Sequence, residues 1–164
     1  MSDANNLFMQ IEGITGCVSD KKYNGWIALD YANNGVFSSA TINNGTGQMN
    51  SDGVRFEQVS FAKEMDATST ELMNMVAEGT NIKKIIVAMN VKTDNKDNEM
   101  VRWTYKNCIL TCHQISANKV GGIPHEVMCF VFGSVECETQ MVSPGGETKK
   151  YGPVGWNIIE NTKL

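Results

Sequence analysis

Apolar and polar residues alternate along most of the chain, and this pattern predicts a mainly β protein. The alternation is clearest in Leu7–Ile11, which precedes a glycine-rich turn, and in Ile85–Val91, which a polar turn follows. Successive residues of a strand point to opposite faces, so each segment can bury one face in a core. Strands are predicted at residues 7–11, 26–31, 54–63, 85–91, 100–116, 127–141 and 156–159.

The predicted strand Val54–Lys63 changes the parity of its apolar positions in the middle. Apolar residues before Glu57–Gln58 lie on one face, and those after it lie on the other. A one-residue bulge near Glu57–Gln58 would restore a common face, and burial of both faces is the alternative.

One helix is predicted between residues 68 and 79. Thr68 and Glu71 have the spacing of a capping box, in which Thr68 caps a backbone N–H and Glu71 reaches back. Gly79 supplies a C-terminal stop. The face predicted to lie against a sheet consists of Leu72, Met75 and Val76.

Two long predicted strands, Met100–Ser116 and Val127–Met141, are joined by a loop containing Gly121–Gly122 and Pro124, and this order predicts a hairpin. Neither an internal repeat nor a domain linker interrupts the pattern. The expected architecture is a single domain, residues 1–164, built as a compact two-sheet β barrel or sandwich with one short flanking helix.

The segment Ser38–Gly53 is rich in Gly, Asn and Ser and has almost no apolar residue, so it is predicted to be a long loop. Long loops in compact domains are usually functional or mobile.

Composition narrows the classes of function. The 164 residues carry a net charge of −4 and only short lysine pairs, which makes nucleic acid an unexpected partner. No apolar run approaches the roughly 20 residues of a membrane helix, so membrane insertion is not expected. The N-terminal residues lack the basic and apolar regions of a signal peptide, and we expect none to be cleaved.

The five cysteines are an odd number spread through the chain, a pattern typical of reduced thiols packed as small apolar groups. Cys108, Cys112 and His113, with Cys129 and His125 at the next predicted strand, suggest a zinc site at first sight. On a strand, however, residues four apart lie about 13 Å from one another and cannot share an ion. No metal site is therefore expected.

The search for catalytic chemistry identifies no motif. Neither of the two histidines lies in a catalytic pattern, so we expect no enzyme and no cofactor. Long strands without a site suggest a building block that pairs with copies of itself. A monomeric β-sandwich module that binds carbohydrate or protein is the alternative. In such a module Trp26, Trp103 or Trp156 could stack on a sugar. A tryptophan in a domain of this kind is, however, more often a core residue.

Several segments together resemble the Hcp (haemolysin-coregulated protein) family of type VI secretion. They are the opening strand and turn Phe8–Gly16, the strand-to-helix stretch Val59–Leu72, the late hairpin loop Gly121–Glu126 and the C-terminal Gly152–Ile158. Their order and spacing cover nearly the whole chain.

The resemblance implies a β barrel with a side helix, which forms homohexameric rings that stack into a secreted tube resembling a phage tail tube. It also implies a virulence-related role in which the ring lumen holds and stabilises effector proteins. The implied partners are further copies of the chain, the VgrG-family spike protein, effectors and the contractile sheath. Assembly would take place in the bacterial cytoplasm, before export without a signal peptide. The family has no catalytic residues to carry over.

Two regions take a role from the resemblance. The segment Ser38–Asp52 matches the extended loop that reaches the neighbouring ring, and the end of the second strand, at Tyr31 and Asn33, matches a lumen-lining region. The inter-ring residues expected on this basis are Ser38, Thr41, Asn43, Asn44, Thr46, Gln48 and Asn50.

Overall fold

The computed structural model describes residues 6–93 and 95–164, in which eleven strands and one helix follow one another. The mainly β prediction is confirmed. The elements are β1 (Leu7–Ile11), β2 (Ile27–Ala28), β3 (Tyr31–Asn33), β4 (Val36–Ile42), β5 (Met49–Phe56), β6 (Val59–Glu64), α1 (Ser69–Glu78), β7 (Asn81–Thr93), β8 (Lys96–Ser116), β9 (His125–Val142), β10 (Thr148–Asn157) and β11 (Thr162–Lys163).

Nine of the strands form one curved antiparallel sheet, and β4 and β5 form a second sheet of two strands. Strand β9 pairs with β8 from His125 to Thr139, with β6 from His125 to Phe130 and with β10 from Ser134 to Val142. The sheet nearly closes on itself between β2 and β3. The N–H of Leu29 bonds to Leu7 of β1 (3.0 Å), while the N–H of Asp30 bonds to Ala62 of β6 (2.8 Å). The consecutive residues Leu29 and Asp30 thus bond to strands at opposite edges of the sheet, and this confirms the barrel-like prediction.

The core fills the inside of this curved sheet. Alternating residues of β1, β6, β7 and β9 point inward, and Met9, Phe61, Val87 and Phe130 are fully buried there. A smaller cluster on the other face of β1 and β7 stacks Phe8 against Tyr23, with ring centroids 4.4 Å apart.

The helix α1 lies against the core through Leu72, Met75 and Val76, as predicted. Gly79 ends it in the left-handed conformation (φ 64°), which also confirms the predicted stop. The predicted capping box is wrong, because the Thr68 side chain makes no capping hydrogen bond. The Thr68 hydroxyl instead donates to Asp66 Oδ1 (2.5 Å), which also accepts from the Thr68 N–H (2.8 Å).

The single strand predicted at Val54–Lys63 is also wrong, since these residues belong to β5 and β6 in different sheets. Between them the Glu57 N–H bonds to the Gly35 carbonyl (3.0 Å) and turns the chain from one sheet to the other. The change of apolar parity therefore marks a passage between sheets, and neither a bulge nor burial of both faces explains it.

The long hairpin of β8 and β9 is confirmed and extends beyond the predicted bounds at both ends. The segment predicted as one strand at 26–31 is divided into β2 and β3, because the chain crosses between sheet edges there. The last predicted strand, at 156–159, is the end of β10, which begins at Thr148 and stops at Asn157. Among residues 6–93 and 95–164, the helical structure does not reach the length and hydrophobicity that a membrane-spanning helix requires.

Candidate assembly surface

The segment Ser38–Gly53, predicted as a structureless loop, is most of a β-hairpin. Strands β4 and β5 pair antiparallel, from Val36 opposite Phe56 at the root to Ile42 opposite Met49 near the tip. The prediction failed because this hairpin has no buried face and therefore no alternation of apolar residues. Every residue of the two strands is exposed except Phe56.

The tip of the hairpin, between Asn43 and Gln48, is fixed by local bonds. The Asn43 N–H bonds to the Gln48 carbonyl (2.8 Å), and the Gly47 N–H bonds to the Asn43 carbonyl (3.0 Å). Gly45 has φ 103° and Gly47 has φ 67°, values that residues with a Cβ rarely adopt. The glycines that suggested a loop thus form a tight turn between strands.

The outer part of the hairpin carries exposed apolar side chains and no charge, whereas β5 also contains the exposed charged residues Asp52 and Arg55. Phe37, Ile42 and Met49 are more than half exposed, at 55, 65 and 76%. No charged residue occurs from Tyr31 to Ser51. Within the described residues β4 and β5 pair only with each other, which leaves their outer backbone edges open. An isolated two-stranded sheet is marginal by itself, and the centres of protein interfaces are depleted of charge. The hairpin therefore has the character of a docking element.

The root of the hairpin is joined to the main sheet by two contacts. The Asn34 amide donates to the Tyr105 hydroxyl oxygen (2.7 Å), and the rings of Phe56 and Phe132 meet edge to face at 6.0 Å. Burial raises the pKa of Tyr105 well above its ordinary value, and the Asn34 bond opposes that shift. The root is therefore held firmly, while the remainder extends into solvent.

The structure places all the expected inter-ring residues on this hairpin, in two groups. Ser38, Thr41 and Asn50 lie on the strands, and the Ser38 and Ser51 hydroxyls lie 3.2 Å apart across the ladder. The tip and its flanks hold Asn43, Asn44, Thr46 and Gln48.

The two lumen candidates, Tyr31 and Asn33, lie on β3, where they pair with Ala62 and Ser60 of β6. Both side chains are exposed and share one face of the strand, with the half-buried Ala32 between them. Their role at a lumen stays a prediction.

A buried charged cluster, which the sequence analysis missed, lies below the start of α1. Lys63 and Glu126 face each other on β6 and β9, are both fully buried, and form an ion pair of 2.5 Å. Lys63 Nζ also donates to Asp66 (2.9 Å) and to Ser69 Oγ (3.2 Å). The second oxygen of Glu126 bonds to His113 Nε2 (2.8 Å).

Hydrogen bonds keep the acids of this cluster ionised. Burial alone would raise the pKa of Glu126, but bonds from Lys63, His113 and Ser69 outweigh burial and lower the pKa below its usual value. Burial would also raise the pKa of Asp66. Hydrogen bonds from Thr68 and, next in size, from Lys63 outweigh burial and lower that pKa below its usual value.

The serine and the histidine of the buried cluster both bond to the carboxylate of Glu126. The Ser69 hydroxyl donates to Glu126 Oε2 (2.8 Å), while His113 bonds to the other oxygen of that carboxylate. The serine and the histidine therefore do not form a nucleophile and base pair. The only sequence signal was that Lys63 and Glu126 occupy inward positions of strands whose other inward residues are apolar.

A cavity of about 400 Å³ lies at the root of the hairpin, at the end of the barrel away from the charged cluster. Its walls are mainly apolar, and the amide of Asn34 at its edge is occupied by Tyr105. Sugar recognition needs several polar groups, and this lining has few. Of the tryptophans suggested for sugar stacking, Trp26 is buried in the Phe8 cluster, whereas Trp103 and Trp156 line the cavity.

The cysteines suspected of binding zinc lie on strands, as expected, and no group of three metal-ligating side chains occurs among residues 6–93 and 95–164. Cys108 is fully buried, and burial raises the pKa of its thiol to about 12. Cys112 and Cys129, which the sequence grouped as candidate ligands on neighbouring strands, lie directly opposite each other on β8 and β9.

Solved structures define the class of fold. A protein described as a type six secretion system protein superposes with a TM-score of 0.91 at 22% identity, covering 98% of this chain and 100% of that one. Hcp1 from Salmonella typhimurium superposes at 0.75 with 22% identity, over 97 and 98% of the two chains. The cap of the anti-feeding prophage tube superposes at 0.54 with 10% identity, over 84 and 90%. The fold is thus that of the Hcp-like secretion proteins.

The family follows from the sequence. The family model for the type VI secretion system effector Hcp matches residues 8–139. The chain therefore belongs to the Hcp family and is a type VI secretion tube protein, as the resemblance indicated. A comparison with curated protein sequences gives no match.

Proposed function

We propose that the chain is a subunit that forms homohexameric rings and that these rings stack into the secretion tube through the β4–β5 hairpin. The observation that carries the proposal is an extended hairpin with exposed apolar side chains and open backbone edges. The domain, residues 1–164, would act as one structural unit, and we propose no enzymatic activity for it.

The hairpin has the properties that stacking would use. The uncharged outer part of the hairpin, up to Ser51, can be buried without the cost of removing charges from water. Its open edges can add backbone hydrogen bonds to a neighbouring copy. The hydrogen bond from Asn34 to Tyr105 would connect a stacking contact on the hairpin to the core of the barrel. The seven inter-ring residues expected from the sequence would contribute polar contacts around the apolar pair Ile42 and Met49.

The lumen of the ring is proposed to hold effector proteins, with Tyr31 and Asn33 among the residues that line it. Both are exposed on one face of β3, as a lumen-lining pair would be. The further partners are the VgrG-family spike and the sheath. The subunit would assemble in the bacterial cytoplasm and leave the cell without a signal peptide.

Electron microscopy of the purified protein, together with size-exclusion chromatography, tests the proposal. We expect rings, and stacked rings at high protein concentration. A monomer at all concentrations would overturn the proposal of self-assembly.

A shortened hairpin tests the stacking step separately. Residues Ile42–Met49 are replaced by Asn-Gly, a two-residue turn that keeps Thr41 opposite Asn50. We expect this variant to fold and form rings without stacking. If its rings stack like those of the unaltered chain, the hairpin is not the inter-ring element.

A further inference from the structure

A bulge in β8 turns Cys112 toward Cys129. The register of β8 and β9 shifts between Leu110 and Cys112, so that Thr111 is the additional residue. In a regular strand Cys112 would face the core together with the buried Leu110. The bulge reverses this parity and leaves Cys112 half-buried, opposite Cys129.

Cys129 faces the same outer side of the barrel. Its neighbours Met128 and Phe130 are fully buried, so the side chain between them points away from the core. It is also half-buried, which leaves the pair within reach of a small reagent. Directly opposed residues of an antiparallel pair have Cα atoms about 4.5–5.5 Å apart. Disulfides span Cα distances of about 4.4–6.8 Å, so the strands need not separate to form one.

The two thiols also interact in the reduced protein. Burial raises the pKa of Cys129 to about 11, and a hydrogen bond and the charge of Cys112 add to the effect of burial. The raised pKa leaves only a small fraction of Cys129 as thiolate at neutral pH.

We propose that Cys112 and Cys129 are a dithiol site that closes to a cross-strand disulfide when the folded protein meets a small-molecule disulfide such as oxidised glutathione. One of the two thiolates attacks a glutathione sulfur, forms a mixed disulfide and releases one glutathione thiolate. The other thiolate then attacks the protein sulfur of this mixed disulfide and releases the second glutathione. The protein loses two electrons and its two thiol protons, and one oxidised glutathione becomes two reduced molecules.

This site does not depend on the proposed stacking, because both thiols belong to one chain and neither lies on the hairpin. The other cysteines have no such partner in the described part of the chain. Cys108 lies opposite Phe132, Cys137 lies between Trp103 and Val154, and Cys17 lies in the turn after β1.

Peptide mapping of the oxidised protein tests the proposal. The full chain, reduced and then incubated with oxidised glutathione, is blocked with an alkylating reagent under denaturing conditions and digested without reductant. We expect loss of two of the five thiols, a mass decrease of two hydrogen atoms, and a linked peptide pair containing Cys112 and Cys129. The thermal midpoint should rise on oxidation and return with dithiothreitol.

Variants assign the bond. Cys112→Ser and Cys129→Ser should each abolish the linked pair, whereas Cys137→Ser, a half-buried control on the same strand as Cys129, should retain it. A stable glutathione adduct without closure, five unreacted thiols, or a bond between other cysteines would each overturn the proposal. The peptide map of the unaltered chain decides the outcome even if a variant does not fold.

Discussion

The side-chain amide of Asn34 donates a 2.7 Å hydrogen bond to the hydroxyl oxygen of Tyr105 and thereby fixes the root of the β4–β5 hairpin to the main sheet. Tyr105 is only 1% exposed, so water does not readily replace this partner. The contact joins residues that lie 71 positions apart in the chain. It connects the element proposed for stacking with the core of the barrel.

Asn34→Ala should lower the free energy of unfolding by about 1–3 kcal/mol, because the buried Tyr105 hydroxyl loses its partner. Urea denaturation measures this loss. Asn44→Ala removes the same side chain at the exposed tip and should change stability by less than about 0.5 kcal/mol. Equal effects of the two substitutions would contradict the anchoring role of Asn34.

Lys63→Met should destabilise the protein by about 3–5 kcal/mol, because it leaves the fully buried Glu126 without its cation. Lys83→Met, on an exposed position of β7, is the matched control and should have little effect. The double variant Lys63→Met with Glu126→Met should lose less stability than the sum of its single variants. Additive losses in denaturant unfolding would show that the two side chains are not coupled.

The same cluster predicts a loss of stability in acid. The pKa values of Glu126 and Asp66 are lowered from 4.5 and 3.8 in the folded protein. Their contribution to stability is therefore complete above those ordinary values and is lost as pH falls through the lower folded values. Unfolding measured from neutral pH to about pH 3 should show this decline. Glu126→Gln should flatten it, and an unchanged slope would contradict the assignment to Glu126.

Ile42→Asp should weaken ring stacking and leave the subunit folded, because it places a charge on a surface that stacking would bury. Val120→Asp is the control, since Val120 is even more exposed (91%) and lies in the loop between β8 and β9. Electron microscopy and sedimentation distinguish stacked from single rings. If both variants stack equally well, the apolar tip of the hairpin is not part of the stacking interface.

Gly16→Ala should destabilise the turn between β1 and β2. A Cβ at Gly16 would clash with the Trp26 carbonyl oxygen, so the backbone would have to move. Gly145→Ala is the control, because its nearest neighbour would be Ser143 Oγ at 3.9 Å and its φ is not positive. The thermal midpoint should fall for the first variant only. A Gly16→Ala midpoint equal to that of the control would show that the turn relaxes freely.

The predictions from sequence succeeded where a segment packs one face on a core. Leu72, Met75 and Val76 follow helical spacing, and the inward residues of β1 and β7 alternate, because burial imposes the period of the local structure. Those patterns are local and can be read without knowing the neighbours. The capping box failed because Asp66, outside the motif, binds the Thr68 hydroxyl.

The hairpin was mistaken for a loop because its strands have no buried face to produce a pattern. The resemblance assigned Ser38–Asp52 to one extended segment, and the structure places these residues on β4, β5 and the turn between them. Its contacts with another copy stay a prediction.

By itself the sequence determined the strand content, the flanking helix, the long β8–β9 hairpin and the family. These depend on short-range periodicity and on motifs that are contiguous in the chain. Tertiary structure alone decided that Lys63 faces Glu126, that Asn34 meets Tyr105 and that Cys112 meets Cys129. The first and last of these pairs depend on strand register, since a bulge or a shift by one residue would turn one partner to the opposite face. The Asn34–Tyr105 contact depends on the connection between β3 and β4, which brings Asn34 to β8.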